Sequence, residues 1–391
     1  MTRRILLCEP QCAGFVHVPF NAALLATVLA AWPDPEVTFF GEAEHLQRVR
    51  EYLEMHGCAA AERVSWAPID VPVRGGNGFR ILGREWTWCQ RVLCEARASD
   101  VDFVVLCSTT NTGLLFLKPL LLCTRFQKPV VAVLHGILGS LERPASRKPW
   151  YWALHLKRVL LLPHPRTLRY IALSPSILEH LAVRFPGLAQ RFRAFDIPCM
   201  WSAATPPQSP PPVRFGFLGT TSGPKRFDRF CRLAFDVSGE APDAEFVLAG
   251  FAAEDGCSVE HCDAVQGVGA RPLDAREFAD RAASLTYSVW TGDPEYYRLV
   301  ASASFLDSLY YGKPGIYLRN PYVQHYFDRM GDIGYLVDSY EEMRALVIGL
   351  ARDFPHERYQ QQCATVVQAR QALSPEALGG AFRAIVDGAR G

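Results

Sequence analysis

Ser302, Ser304 and Asp307 stand close together in residues 302–318, SASFLDSLYYGKPGIYL. Both serines are of a type that caps helix N-termini, and an apolar helical pattern follows them. A helix starting there offers free backbone N–H groups and a positive pole, which together bind phosphate. Asp307, about one turn further in, is a carboxylate able to accept from two sugar hydroxyls. Phosphate at the helix end with a diol on the acid is what a nucleotide-sugar requires. An ordinary capped helix with a buried Asp uses the same residues, so the rest of the chain must decide.

Upstream, the apolar run 213–218 (VRFGFL) leads into Gly219, Thr220, Thr221, Ser222, Gly223, Pro224, Lys225 and Arg226. A small-residue turn between strand and helix, ending in two basic residues, lets backbone N–H groups and a Lys approach phosphate together. Phe251 ends the next strand-and-turn unit, and Gly14 sits in the loop after the first strand; both join the donor-binding set. That first loop also carries His17 and Asn21. Ser108, Thr109, Thr110 and Asn111 follow a later strand, and His135, Gly136 and Gly139 follow another. An unperturbed histidine titrates near neutrality and suits proton transfer.

These residues need a scaffold that brings strand ends together. Apolar runs 4–8, 37–40, 64–69, 102–107, 129–134, 170–174 and 192–197 read as strands. Helical patterns over 20–32, 43–55, 85–98, 114–126 (kinked or restarted at Pro119), 151–161 and 176–185 alternate with them. Residues 71–83, with Gly75, Gly76, Gly78 and Gly83, read as a loop. Continuous apolar strands between helices mean a parallel sheet covered on both faces, with ligands beyond the carboxyl ends of the strands. Residues 202–212, SAATPPQSPPP, are a proline-rich spacer. Beyond it the pattern restarts: strands at 213–218, 245–249, 264–268, 285–290, 315–318 and an edge strand at 334–337. Helices are expected over 227–235, 274–283, 302–311, 340–352 and 376–386. The expected organisation is an N-terminal Rossmann-like acceptor domain (1–201), the linker (202–212), a Rossmann-like donor domain (213–372) and a closing helix (373–391) that packs back on the first domain.

With 41 Lys plus Arg against 40 Asp plus Glu, no bulk charge favours nucleic acid as a partner. Twelve scattered cysteines, many within apolar patterns, suit reduced thiols in a cytoplasmic protein. Cys257, His261 and Cys262 lack a second nearby pair, so no metal or other cofactor is expected. The N-terminus lacks the features of a secretory signal, and no apolar window is long enough to span a membrane. Residues 147–166 set Arg147, Lys148, Lys157, Arg158 and Arg166 beside Trp150, Tyr151, Trp152 and several leucines. They suit either the surface of an anionic membrane, giving a peripheral protein at its inner face, or a helix packed on the sheet with basic ends.

The succession GFLG…K, FVLAG, DSLYYGKPGIYL and IGYLVDSYEEMRAL resembles the C-terminal domain of GT-B glycosyltransferases, family 4 ("group 1") above all, over about residues 213–351. The resemblance implies an α/β fold of two Rossmann-like domains facing each other across a cleft. It also implies that Lys225 grips the donor diphosphate, that Asp307 takes the second Glu position of E-x7-E, and that Ser302 and Ser304 lie at the helix end facing the diphosphate. Two positions depart: Thr220 replaces the family's Arg, and Leu299 the first Glu. Glu295 or Asp293 stands in for that acid, and Arg226 or Arg298 for the Arg. His17 resembles the first-loop base of inverting family-1 enzymes, and His135 the donor-orienting His of retaining relatives. The implied function is transfer from a nucleotide-diphosphate sugar to a glycan or lipid-linked acceptor, in surface polysaccharide or glycoconjugate biosynthesis. An inactive GT-B binding partner and a GT-B-like sugar-nucleotide epimerase are the alternatives.

Overall fold

The computed structural model describes residues 2–71, 78–144, 147–148, 153–202, 211–252 and 259–389. It divides into two compact units: Met1–Trp201 with Leu299–Ala301 and Ala372–Gly391, and Ser202–Arg298 with Ser302–Gln371. Most of the proline-rich spacer lies outside the described residues, as do Gly75, Gly76, Trp150, Tyr151, Trp152 and Cys257.

In the first unit, β1 (Arg4–Cys8), β2 (Glu36–Gly41), β3 (Val64–Pro68), β4 (Phe103–Leu106), β5 (Val130–Leu134), β6 (Leu168–Ala172) and β7 (Phe192–Ala194) form one parallel sheet. Its order is β3-β2-β1-β4-β5-β6-β7. Every residue of β4 and β5 is buried, so both sheet faces are covered. Each aliphatic side chain so buried contributes roughly 1.5–3 kcal/mol. The helices are α1 (Val18–Ala31), α2 (Ala43–Met55), α3 (Gly78–Ala98), α4 (Asn111–Cys123), α5 (Leu156–Leu161), α6 (Pro175–Arg184) and α7 (Pro186–Ala189). α4 runs through Pro119 and is capped by Thr110, whose Oγ1 accepts from the Gly113 N–H at 2.8 Å.

The second unit carries β8 (Arg214–Leu218), β9 (Glu245–Ala249), β10 (Tyr287–Trp290), β11 (Gly315–Leu318) and β12 (Gly334–Val337), all parallel in the order β12-β11-β10-β8-β9. Its helices are α8 (Phe227–Ser238), α9 (Ala275–Ser284), α10 (Ala303–Tyr310), α11 (Pro321–Met330), α12 (Tyr340–Arg352) and α13 (His356–Ala369). A last helix, α14 (Pro375–Asp387), belongs to the first unit and packs on α1. The approach is close: a Cβ on Gly379 would lie 3.2 Å from the Ala31 nitrogen. Arg383 Nε donates to Ala31 O at 2.6 Å, closing the C-terminal end of α1.

Two expected elements differ. The loop expected over 71–83 is helical from Gly78, because Trp88, Cys89, Val92, Leu93 and Ala96 bury one face of α3 and outweigh the glycine signal. The strand expected over 264–268 is reduced to a single bridge between Val247 and Gln266. There Gly267 turns the chain at φ +78°, and Arg281 Nη1 donates to Leu248 O (3.2 Å) and Gly267 O (3.0 Å).

Candidate functional site

In the five-stranded sheet β8 and β10 are neighbours, yet the chain leaves β8 toward β9 on one side and β10 toward β11 on the other. The loops after them part, opening the crevice where parallel α/β sheets hold ligands. After β8, Gly219 adopts φ +87°, and a Cβ there would lie 2.7 Å from Lys225 Nζ. Glycine thus lets the ammonium fold over the strand end, where it donates to Leu218 O at 3.3 Å.

The loop after β10 is strapped to this turn. Thr291 Oγ1 donates to Arg226 O at 2.9 Å, and the Asp293 N–H to Pro224 O at 2.8 Å. Trp290 Nε1 donates to Ser302 Oγ at 3.1 Å, and the same Oγ accepts the Phe305 N–H at 3.3 Å. Ser302 therefore caps α10 as its type and position predict. At the other end of α10, Arg370 donates to Leu309 O (3.3 Å) and Tyr310 O (2.6 Å), and also to Ser202 O (2.9 Å). The helix is held at both ends. Lys225, Trp290, Thr291, Ser304 and Tyr317 line a small recess at its start.

Lys225 and Asp307 feel each other across this site. Burial pushes the Asp307 carboxyl up, to about 6, against the opposing pull of Lys225. Burial also lowers the Lys225 ammonium, against the pull of Asp307. Each is an ionisable group held at a desolvation cost, as groups arranged at functional sites are.

Other expected donor groups are already engaged. The Thr221 N–H donates to Phe251 O, in the loop after β9, at 3.3 Å; Thr220 is half-buried and Ser222 exposed. Arg226 is held by Asp228 through Nε (2.9 Å) and Nη2 (2.6 Å). Glu295 and Arg298 pair with one another at 2.6 Å, each neutralising the other. Leu299, at the position of the resembled family's first Glu, is buried in the first unit. His261 stacks on Phe235, with ring centroids 4.0 Å apart. Among the described residues no three His, Cys, Asp or Glu side chains gather in a metal-binding arrangement.

In the first unit the loop after β1 brings His17 onto His135 at the end of β5, with ring centroids 4.7 Å apart. His135 Nε2 lies 2.8 Å from Cys107 O, which makes that nitrogen the protonated donor. Burial and then the neighbouring His17 push its pKa down to about 3. The same loop carries a network whose centre, Glu9, and whose His45 sequence reasoning missed. Glu9 is wholly buried; its Oε1 accepts from the Gln11 and Cys12 N–H groups and from Ser108 Oγ, and its Oε2 from Asn21 Nδ2 at 3.0 Å. Asn21 Nδ2 also lies 2.8 Å from His45 Nε2, and His45 Nδ1 lies 2.9 Å from Gly14 O. The Gly14 N–H donates to Glu42 at 3.1 Å, so both backbone groups of Gly14 are tied to side chains at the start of α2. The signal was an acid directly after an apolar strand, legible only once β1 is known to be central.

No protein-family model matches the chain, and no curated protein sequence does. Solved structures do resemble it. Anabaena HepE, crystallised with UDP, matches with a TM-score of 0.60 and 14% identity, over 99% of this chain and 100% of that one. A UDP-forming α,α-trehalose-phosphate synthase from Burkholderia xenovorans matches at 0.57 and 9% identity, over 98% and 100%. The fold is GT-B. A Listeria monocytogenes protein described as a UDP-N-acetylglucosamine 2-epimerase has the same architecture, at 0.54 and 11% identity over 99% and 96%. Identities this low establish shared architecture, two Rossmann-like domains, and leave chemistry to be argued from the residues.

Proposed function

We propose that this chain is a glycosyltransferase that moves a sugar from a nucleotide-diphosphate donor to a glycan or lipid-linked acceptor, in the assembly of a surface polysaccharide or glycoconjugate. The observation that carries the reading is the meeting of Lys225, Asp307 and the Ser302-capped start of α10 at the β8/β10 switch point. Lys225 and the first-turn N–H groups of α10 neutralise the diphosphate, and the Asp307 carboxylate accepts from the ribose hydroxyls. The diphosphate charge is met this way without a metal. The UDP and UDP-glucose seen in HepE crystals support a uridine donor.

In this reading the acceptor hydroxyl attacks the anomeric carbon, the bond from that carbon to the diphosphate oxygen breaks, and His17 takes the hydroxyl proton. Neutral His135 stacks beside it and adds no second charge when His17 becomes an imidazolium. A buried Leu299 where family 4 has an acid, and a Glu295 tied to Arg298, favour an inverting route with a histidine base over the retaining chemistry of that family. The place of work is the cytoplasmic face of a membrane. Leu161 and Leu162 are exposed beside Lys157 and Arg158, while Leu156, Val159 and Leu160 are buried. No helix among the described residues is long and apolar enough to cross a membrane.

The test is a thermal-shift screen of UDP-, GDP-, dTDP- and ADP-linked sugars, followed by product analysis. A donor present at about 100 times its Kd stabilises by roughly 2.7 kcal/mol. Stabilisation by one of them, lost in Lys225→Ala, is expected; no stabilisation by any nucleotide-sugar would overturn the reading. The epimerase neighbour gives a second reading its footing. Release of free nucleoside diphosphate supports transfer, and an altered nucleotide-sugar supports epimerisation.

A further inference from the structure

The seven-stranded sheet has its own switch point. From β1 the chain passes to β2 on one side, and from β4 to β5 on the other, so the loops after β1 and β4 part. Between these loops and helices α3 and α4 lies a recess walled by Gln11, Leu106, Thr110 and Leu117 and by one face of α3. That face presents Glu85, Trp88 and Cys89, at the i, i+3, i+4 spacing that aligns side chains on a helix.

Glu85 and Trp88 are each 6% exposed. Glu85 Oε1 accepts from Thr110 Oγ1 at 2.6 Å. The Thr112 hydroxyl also stabilises this carboxylate; the Glu85 Oε2 atom and the Trp88 Nε1–H have no hydrogen-bond partner among the described residues. Buried polar atoms are nearly always paired, so an acceptor and a donor left open in the wall of one recess point to a ligand.

We propose that this recess is an acceptor subsite that takes a hydroxyl group of a neutral, polyhydroxylated acceptor, the hydroxyl donating to Glu85 Oε2 and accepting from Trp88 Nε1–H. A hydroxyl is the small neutral group that does both at once. An anionic group would meet the Glu85 carboxyl, and an ammonium would leave the indole N–H unmet. Leu106, Leu117 and the Cys89 thiol, an inert one whose pKa burial pushes up to about 12, close the rest of the wall and leave room for a single hydroxyl-sized group. Calling the ligand the acceptor rests on the glycosyltransferase reading; the recess and its hydrogen-bonding demand do not. Glu85 and Trp88 are specificity residues here, and the reaction does not pass through them.

The test uses the full chain labelled with nitrogen-15, with the Trp88 indole resonance assigned by Trp88→Phe. Methyl glucoside and glycerol are the probes, and UDP is the control. The resonance is expected to move saturably with methyl glucoside and to stay put with UDP. Glu85→Gln should weaken that response about tenfold. A resonance unmoved by either polyol would mean that the recess holds an ordered water only, and would overturn the proposal. UDP binding, followed separately by calorimetry, reports on the donor site, so failure of the function reading and failure of this subsite are told apart.

Discussion

The imidazole of His135 lies against that of His17, their planes 29° from parallel. The inner ring donates to Cys107 O and stays neutral, while the outer one is exposed in the loop after β1. The arrangement sets a ring fixed by the scaffold against one that reaches solvent. His17→Ala is therefore expected to leave UDP affinity unchanged by calorimetry and to lower turnover by about 10²–10⁴-fold. Unchanged turnover would remove His17 as the base.

Acid should weaken the first unit through His135. Its pKa is lower in the folded chain (about 3) than in the unfolded chain (about 6.5), so the unfolded chain takes up the proton first. The stability it contributes is complete above that unfolded value and is lost as pH falls toward the folded one. Chemical denaturation at stepwise lower pH checks this: His135→Gln should lose less stability on acidification than the parent chain.

Asp307 has the opposite sign. Its carboxyl is raised to about 6 when folded against about 3.9 unfolded, so the folded chain binds the extra proton between those values. Its contribution is greatest in acid and is lost as pH rises through about 6. Asp307→Asn is thus expected to raise Tm at neutral pH, to do little in strong acid, and to weaken nucleotide-diphosphate binding throughout. A variant of unchanged affinity would end the role given to this carboxylate.

Two glycines of the donor site should answer differently to alanine. A Cβ on Gly250 would stand 1.9 Å from Gly219 O, whereas one on Gly223 meets nothing within 4 Å. Gly250→Ala is expected to cost about 1–3 kcal/mol by crowding and to weaken UDP binding by displacing Gly219. Gly223→Ala should be neutral or slightly stabilising. Thermal melts of the two variants with and without UDP make the comparison.

The exposed pair at the end of α5 gives a fifth prediction. Replacing Leu161 and Leu162 by serine should reduce sedimentation with vesicles containing anionic lipid, with thermal stability and UDP binding unchanged. Equal binding by parent and variant would take the membrane surface out of the proposal.

Much of this could be seen in the residues alone. β1, β4, β5, β8 and β9 are continuous apolar runs between turns, which a doubly covered parallel sheet demands. The helix–Gly–strand unit at α10 and β11 was legible because Ser302 and Gly312 punctuate it at both ends. α11 and α13 were not read. Asn320 and Pro321 do mark the start of α11, but two of the four residues on its buried face are tyrosines, Tyr322 and Tyr326, beside Val323 and Met330. α13 begins HERYQQQ, with little apolar signal to count. The bond from the Thr221 amide to Phe251, about thirty residues on, was not legible either, because no local pattern reports such a partner. Glu85 and Trp88 became a pair of interest only when β1 and β4 proved to be neighbours in the sheet.

The guanidinium of Arg370 grips the last carbonyls of α10 and the carbonyl of Ser202 together. The chain's point of entry into the second unit and the tail of α10 are thereby held by one side chain. One substitution at Arg370 would therefore release the C-terminal carbonyls of α10 and the Ser202 carbonyl at the same time.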